Sequence, residues 1–294
     1  MTTARVLAQA KINLVLHVLA PEASGYHSIE TVFLRLDLAD AVTVRVDVAT
    51  RTVDCAGPAV PAAGLGPAET NLAYRAASAY AAATGWPSGF AIEIDKRIPV
   101  GAGLGGGSAD AGAVLRALDA LAPNALGHRL AELAAPLGAD VPFMSIDSPM
   151  ALAWGRGERL LPLPVLTPRP VAVLVPPFPI ATRDAYGWLA GSRGAYEPEA
   201  RVIAPEALAT WEGVSGIASN DFDDALRPRF AKIGQLIEHL ESAGADIAML
   251  SGSGSAVFGV FPGERDLASL GSPAGARLIV TRTSDRVVRV DANR

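Results

Sequence analysis

Apolar residues in the first third of the chain follow the two-residue period that is typical of β-strands. Segments 31–38 and 42–48 are rich in β-branched and apolar residues and are bounded by acidic turns, and residues 90–95 alternate between apolar and polar side chains. Strands favour such segments. We therefore predict that a β-sheet begins the protein.

Helical spacing follows these strands. Residues 71–84 are rich in alanine and end at Gly85, and glycine is a common helix stop. Residues 108–121 resume helical spacing immediately after a run of glycines, and a shorter helix is predicted near 130–137. The glycine run therefore lies between a predicted strand and the start of a predicted helix.

The second half of the chain mixes both element types, which predicts an α+β fold. The predicted strands are 150–154, 171–175, 247–250, 256–261, 278–281 and 287–290, the predicted helices are 183–189 and 229–243, and 191–205 is predicted to be a loop. Pro162, Pro164, Pro168 and Pro170 cluster in one short segment, and neither a helix nor a central strand tolerates that density. We place a domain boundary there, which predicts domains 1–165 and 166–294.

The composition is that of a folded protein. The 294 residues exceed what one hydrophobic core usually serves, and half of them are apolar while 19% are charged. A formal net charge of -5 gives no general attraction to nucleic acid or to anionic membranes. We therefore expect a small molecule, rather than nucleic acid or a membrane, as the partner.

Cysteine usage and charge placement favour the cytoplasm. Cys55 is the only cysteine, which excludes an intrachain disulfide and a cysteine-based metal cage. Arg5 and Lys11 fall where a secretory segment needs uninterrupted apolar residues. The most apolar run, 171–180, contains three prolines. We therefore expect no export signal and no membrane span.

The richest local signal is the segment 99–110, which contains five glycines. Glycines let backbone N–H groups approach an anion without obstruction by Cβ, and the helix that follows directs its positive dipole end at the same point. This favours a phosphate-binding loop over a flexible turn. Gly101, Gly103 and Gly106 also satisfy the dinucleotide pattern, but Glu132 falls in a helical stretch where that pattern needs a strand end. No Lys-Ser or Lys-Thr follows, so the loop does not fit the P-loop of NTPases either.

Five separated segments together resemble the GHMP small-molecule kinases. They are Ala-Lys-Ile-Asn-Leu at 10–14, Gly-Tyr-His at 25–27, Asp-Lys-Arg-Ile-Pro at 95–99 with the glycine loop, Gly-Ala-Asp-Val-Pro-Phe at 138–143 and Ser-Gly-Ser-Gly at 251–254. They occur in the family's order. Ala102 stands where glycine is common, Ala109-Asp-Ala-Gly112 replaces the usual Ser-Asp-Ala-Ala, and 176–186 matches only loosely.

The resemblance implies the fold and the reaction. The implied fold has an N-terminal domain like domain 2 of ribosomal protein S5 and a ferredoxin-like C-terminal domain, with the active site between them. The implied reaction is ATP-dependent phosphorylation, and within the superfamily the motifs are most similar to the members that phosphorylate the 2-hydroxyl of a cytidine diphosphate-linked methylerythritol in non-mevalonate isoprenoid precursor synthesis. We expect a monomer or homodimer.

Lys11 and Asp140 are the predicted catalytic residues. An unpaired ammonium between apolar neighbours would be costly to bury, so Lys11 needs an anionic partner. Asp140 precedes Val141 and Pro142, a setting that we expect to hold the backbone extended. By resemblance, Asp140 is the general base, and Lys11 orients it and stabilises transition-state charge. The alternatives are an exposed strand lysine and a turn or helix-cap aspartate.

The resemblance also assigns binding residues. Tyr26 stacks on the cytosine, His27 hydrogen-bonds its edge and Asn13 lies near the sugar or methylerythritol. Tyr186 completes an aromatic sandwich and Thr182 contacts the substrate, although a core role for Tyr186 is equally open. Asn71 and Lys96 line the adenine pocket, with a helix cap and a solvated strand end as the alternatives.

The predicted ATP-binding loop continues through the first turn of the helix. Its residues are Pro99, Val100, Gly101, Ala102, Gly103, Leu104, Gly105, Gly106, Gly107, Ser108 and Ala109. Mg²⁺ is expected with the triphosphate, with Ser108 as the protein ligand. Asp110 is given a structural role, because a second negative charge beside triphosphate is repelled. The turn 251–255 either approaches the phosphates or is a plain hairpin turn.

Two other functions fit parts of the pattern. Another GHMP kinase would act on mevalonate or homoserine, but these alcohols carry no nucleobase for Tyr26 and His27. A non-catalytic RNA-binding protein would share the S5-like domain, but the acidic balance disfavours it.

Overall fold

The structure is a computed structural model that describes residues 2–21, 27–194 and 203–293. In chain order, its strands are β1 (Thr3–Pro21), β2 (His27–Val46), β3 (Arg51–Ala56), β4 (Phe90–Asp95), β5 (Met150–Gly155), β6 (Arg159–Pro162), β7 (Pro170–Val175), β8 (Ser219–Asn220), β9 (Ile247–Leu250), β10 (Val257–Val260), β11 (Arg277–Arg282) and β12 (Asp291–Asn293). Its helices are α1 (Leu72–Thr84), α2 (Gly106–Leu121), α3 (Leu130–Ala134), α4 (Val141–Ser145), α5 (Thr182–Arg193), α6 (Trp211–Ile217), α7 (Asp221–Leu226) and α8 (Ala231–Ser242).

The first sheet is built around the long antiparallel pair of β1 and β2. Its main strand order is β12-β1-β2-β4-β3, while β5 pairs with β2 and β6, and β8 pairs with β1. The β1–β2 register shifts on both sides of Lys11 and Asn13. Such irregularities are common beside functional sites because they change the direction of side chains.

The second sheet has the antiparallel order β11-β7-β10-β9. Its core holds apolar residues of α5, α7 and α8, among them Ala185, Phe222 and Leu236. The core of the first sheet instead packs against alanine-rich faces of α1 and α2, which include Ala77 and Ala113. Small side chains let these helices lie close to the strands and to each other.

Most predicted elements appear near their predicted bounds, with definite exceptions. The strands Phe90–Asp95 and Ile247–Leu250 are confirmed. The two strands predicted at 31–38 and 42–48 are one continuous strand, β2, and β1 and β3 were not predicted. The strand at 287–290 is wrong, since regular pairing begins only at β12. Helix α5 extends into the predicted loop 191–205, of which residues 195–202 lie outside the described residues.

The segment between β6 and β7 contains no helix or strand, as its prolines predicted. The later strands β8 and β12 nevertheless return to the first sheet and pair with β1. The division into domains 1–165 and 166–294 therefore stays a prediction. None of the helices within the described ranges combines the length and the apolar character that a membrane crossing needs.

Candidate active site

A cavity of about 600 Å³ lies between the glycine loop, β1, α4 and α5. The predicted site residues that line it are Lys11, Asn13, Asn71, Lys96, Pro99, Val100, Gly101, Ala102, Gly103, Leu104, Gly105, Gly106, Gly107, Ser108, Asp140, Thr182 and Tyr186. The fold thus brings segments that are far apart in sequence to one cavity.

Two described residues of the predicted site, Ala109 and His27, are not part of this lining. Ala109 is buried inside α2 and packs in the core of the first sheet. The ring of His27 contacts that of Tyr186, with ring centroids 4.9 Å apart and planes tilted by 31°. Tyr26 lies outside the described residues.

Lys11 is a buried lysine with only 3% of its surface exposed, so the alternative of an exposed strand lysine is wrong. Its ammonium donates to Asn13 Oδ1 at 2.8 Å and to the carbonyl of Gly103 at 2.9 Å, and lies 3.5 Å from Asp140 Oδ2. Its backbone N–H donates to the carbonyl of Leu104 at 3.0 Å. Lys11 thereby joins β1, the glycine loop and the predicted base.

Asp140 immediately precedes α4 and has φ -86 and ψ -16, so its backbone is helical and not extended as predicted. The restriction that proline imposes falls on Val141, and proline is well tolerated in the first turn of a helix because the N–H there has no intrahelical acceptor. The Asp140 side chain makes no capping hydrogen bond. Its carboxylate is therefore directed to Lys11 instead of capping the helix.

The carbonyls of the glycine loop are held by the rest of the protein. The carbonyl of Gly103 accepts from Lys11 and, at 2.9 Å, from Ser251 Oγ, and the carbonyl of Ala102 accepts from the N–H of Ala256 at 3.1 Å. In a trans peptide the N–H of the next residue points the opposite way. The amides of Gly103 and Leu104 therefore point away from these partners. The 251–255 turn joins the antiparallel strands β9 and β10, so it is a hairpin turn, and it also supports the glycine loop through Ser251.

Lys96 is buried and bonded to two carboxylates, which excludes the alternative of a solvated strand end. Its ammonium donates to Asp40 Oδ2 and, at 2.6 Å, to Asp110 Oδ2. The other Asp110 oxygen, Oδ1, is buried and accepts no hydrogen bond from the described part of the chain. Burial lowers the pKa of Lys96, but the two carboxylates outweigh it and raise the pKa overall.

Burial also raises the pKa of Asp110 to about 7, opposed by Lys96 and reinforced by the negative charge of Asp40. Two carboxylates that share one ammonium cannot both ionise freely, so one retains its proton more strongly. Asp110 therefore makes a buried ion pair with Lys96, which agrees with the structural role expected from the sequence. The pairing with Asp40 was not predicted, because the two residues are 70 positions apart.

Asn71 caps α1 and also lines the cavity. Its Oδ1 accepts from the N–H of Ala73 at 2.8 Å. Its Nδ2 contacts Cys55 Sγ at 3.6 Å. The helix-cap alternative is confirmed. The predicted contact of Asn71 with adenine stays open, because the residue both caps α1 and lines the cavity.

The α5 side of the cavity is aromatic. Tyr186 contacts Phe222 edge-on, with ring centroids 5.0 Å apart. Burial, with a smaller effect of the Asp140 charge, raises the pKa of Tyr186 to about 12. Thr182 accepts a hydrogen bond from Ser253 Oγ at 3.1 Å, which links α5 to the 251–255 turn.

Sequence analysis missed several residues of the lining. Phe33, Phe222 and Arg156 all reach the cavity. Of these three residues, Phe33 lies in a strand that the sequence pattern predicts. No group of three or more metal-binding His, Cys, Asp or Glu side chains occurs in the described ranges.

Comparison of the sequence with known protein families identifies the family of the chain. Residues 71–147 match the family described as GHMP kinases N terminal domain, and residues 206–277 match GHMP kinases C terminal. The chain therefore belongs to the GHMP kinases, and it has their α+β fold and phosphotransferase class.

Relatives with higher sequence identity show which family of kinases within the GHMP kinases the chain belongs to. Two proteins named 4-diphosphocytidyl-2-C-methyl-D-erythritol kinase are each 40% identical to the chain. The one from Anaeromyxobacter dehalogenans aligns over 97% of this chain and 92% of its own length, and the one from Gloeobacter violaceus over 96% and 95%. A crystal structure of 4-(cytidine 5'-diphospho)-2C-methyl-D-erythritol kinase is 34% identical, with a TM-score of 0.76 over 95% of this chain and 98% of that chain. The chain is a member of this kinase family.

Gly103 and Gly101 offer a matched test of the glycine loop. Both have positive φ, but a Cβ on Gly103 would lie 1.9 Å from the backbone oxygen of Ser251, whereas one on Gly101 would meet nothing within 4 Å. Gly101→Ala should lower the free energy of unfolding by about 1–2 kcal/mol, because alanine disfavours the left-handed backbone conformation at that position. Gly103→Ala should lower it further and abolish ADP binding, as measured by urea unfolding and calorimetry. Equal effects of the two substitutions would contradict this account of the loop.

The Asp110 carboxyl predicts a pH dependence of stability. The folded protein retains its proton up to about pH 7, while the unfolded chain releases it near pH 4, so the folded state binds more protons in that window. The free energy of unfolding should therefore fall as pH rises from about 4 to 7, by about 1.4 kcal/mol per unit of raised pKa. Asp110→Asn should flatten this slope in urea titrations, whereas Asp54→Asn on the exposed face of β3 should retain it. A wild-type slope in Asp110→Asn would disprove the assignment.

Proposed function

We propose that this protein transfers the γ-phosphoryl group of ATP to the 2-hydroxyl of 4-diphosphocytidyl-2-C-methyl-D-erythritol. The names and the high coverage of its relatives support the substrate. The observation that carries the chemistry is the meeting of Lys11 and Asp140 beside the glycine loop in one cavity.

Asp140 is the proposed general base. Its carboxylate accepts the proton of the substrate hydroxyl as the oxygen attacks the γ-phosphorus in line. Lys11 keeps this carboxylate oriented at 3.5 Å and presents positive charge to the transferring phosphoryl group. Because Lys11 is also bonded to the carbonyl of Gly103, the base and the phosphate loop have a fixed relative position.

The glycine loop is the proposed triphosphate site. Amides that point away from Lys11 and the 251–255 turn are available to phosphate oxygens, and the 16-residue helix α2 directs its positive end at the same place. The hydroxyl of Ser108 would hold a magnesium ion, which would neutralise charge on the triphosphate. Asn71 and Lys96 are proposed to line the adenine pocket. We place the reaction in the cytoplasm, where ATP is available.

The aromatic side of the cavity is the proposed cytidine site. The rings of His27 and Tyr186 are in contact, and Asn13 lies beside Lys11 with its Nδ2 donating to Thr31 Oγ1 at 2.7 Å. Tyr26 precedes His27 and is proposed to complete the stack on the base. Thr182 is proposed to contact the substrate from the first turn of α5.

A coupled ADP-release assay tests the proposed reaction. The enzyme should turn over the cytidine-linked alcohol and leave mevalonate and homoserine unphosphorylated. Asp140→Asn should lower kcat by about 10²–10⁴-fold, the usual range for losing a general base, while ADP binding persists. Lys11→Met should likewise lower kcat. Asp37→Asn, which changes an exposed carboxylate of β2, is the matched control and should retain activity.

Two outcomes would refute the proposal. Comparable turnover of the three alcohols would remove the substrate assignment. Full activity of Asp140→Asn would remove the assigned base. Salt-dependent RNA binding without any turnover would instead favour the non-catalytic alternative.

Tyr186 tests the nucleobase site separately. Loss of one stacking partner is worth about 1–3 kcal/mol per base, so Tyr186→Ala should raise KM for the cytidine-linked alcohol by about tenfold or more, with KM for ATP unchanged. Tyr186→Phe should restore most of the affinity because the ring remains. Trp188→Ala alters the same helix at a ring that packs on Phe230, and it should leave both KM values unchanged. A rise in KM for ATP with Tyr186→Ala would contradict the assignment.

A further inference from the structure

Arg35 is a buried arginine whose function the proposed reaction does not explain. It lies in β2 with 1% of its surface exposed. Its guanidinium donates to backbone carbonyls at the C-terminal end of α4: Phe143 at 2.7 Å, Ile146 at 3.2 Å and Ser148 at 3.2 Å. Burial lowers the pKa of Arg35 to about 9, with a further decrease from Arg116 and an opposing effect of Asp147, so the group stays charged at neutral pH.

The contacts of Arg35 extend along the whole end of the helix. Nη1 reaches Met144 Sδ at 3.7 Å, and the guanidinium lies over the Phe143 ring, 4.9 Å from its centroid. The last carbonyls of a helix have no intrahelical donor, and a cation there also interacts favourably with the helix dipole. Arg35 therefore caps α4 with a planar group that can donate in several directions at once.

Arg35 and Lys11 contact opposite ends of the same helix, α4. Lys11 in β1 and Arg35 in β2 are directly opposite in the antiparallel register, and directly opposite residues project to the same face of a sheet. Lys11 contacts Asp140 at the start of α4, while Arg35 contacts the carbonyls at its end. Two paired residues of neighbouring strands thus hold opposite ends of a helix of five residues.

A helix this short does not hold its own position. Isolated helices below about 12 residues are marginal in water, so tertiary contacts must fix α4. Its remaining side packs on α2, where a Cβ on Gly112 would lie 2.5 Å from Met144 backbone and side-chain atoms. Gly112 thus allows close approach from one side, and Arg35 supplies directional hydrogen bonds from the sheet side.

We propose that Arg35 is a positioning residue for the phosphoryl transfer, acting through α4 to hold the Asp140 carboxylate against Lys11. The inference rests on the role proposed above for Asp140. Misplacement of a catalytic group by about 1 Å costs up to about 10²-fold in rate. Loss of the Arg35 cap therefore affects the chemical step more than it affects nucleotide binding.

A double-mutant cycle with Asp140 tests this role. Arg35→Met retains an apolar side chain of similar length and removes every donor. In single-turnover measurements with enzyme in excess, Arg35→Met should slow phosphoryl transfer about tenfold or more, with ADP affinity unchanged. In the Asp140→Asn background the same substitution should slow transfer by less than about twofold, because the group it positions is already gone.

Arg35→Lys and Arg116→Met complete the design. Lysine restores a donor at the end of α4 and should recover part of the lost rate, and it carries the test if Arg35→Met fails to fold. Arg116 is another partly buried arginine, but it donates to the carbonyl of Val288, and no hydrogen bond joins it to α4 in the described ranges. Arg116→Met should therefore lower the melting temperature without slowing transfer.

The possible results separate the two proposals. Equal slowing by Arg35→Met in the wild-type and Asp140→Asn backgrounds would overturn the positioning role while leaving Asp140 as base. So would a transfer rate of Arg35→Lys no higher than that of Arg35→Met, because a restored donor would then make no difference. If Arg35→Met does not fold, equal slowing by Arg35→Lys in the two backgrounds would overturn the role. Full activity of Asp140→Asn alone would instead overturn the proposed base, whatever Arg35 does.

Discussion

The site depends on one buried ammonium, that of Lys11, which contacts Asn13, the carbonyl of Gly103 and the carboxylate of Asp140. A buried ammonium is stable only where its hydrogen bonds and charge are satisfied. The surrounding elements must therefore bring a loop carbonyl and an acid to the same point of β1. This requirement fixes the glycine loop and α4 relative to the sheet, and it also creates the cavity where the reaction is proposed to occur.

A second buried ammonium, that of Lys96, organises the other side of the glycine loop. It joins Asp40 in β2 to Asp110 in the first part of α2. A Cβ on Gly106 would lie 3.5 Å from this ammonium, so the glycine at the start of α2 packs directly over it. The start of α2, where the triphosphate is proposed to bind, is thus anchored by charge as well as by packing. Lys11 supports the loop from β1, and Lys96 supports it from the residue just after β4.

Local features were the predictable part of this protein. The glycine loop, the helix after it and the alanine-rich helix α1 each leave their signal within about fifteen residues. The long β1 was missed although its polar residues Gln9, Lys11 and Asn13 are two positions apart. Its central residues are buried whatever their polarity, so burial does not show the usual alternation. The Lys96–Asp40 pair and the Arg35 cap were unpredictable from one sequence because they depend on strand register and helix placement, which bring together residues 56 to 113 positions apart.

The return of β8 and β12 to β1 has a consequence for how the protein is made. Domains generally fold as units during synthesis, starting from the N-terminal side. The first sheet contains strands from late in the chain, so it stays incomplete until those strands have been synthesised. The strand that carries Lys11 has an unpaired edge until residues 291–293 have emerged. The nascent chain must keep that edge from pairing with other chains until its last strand arrives.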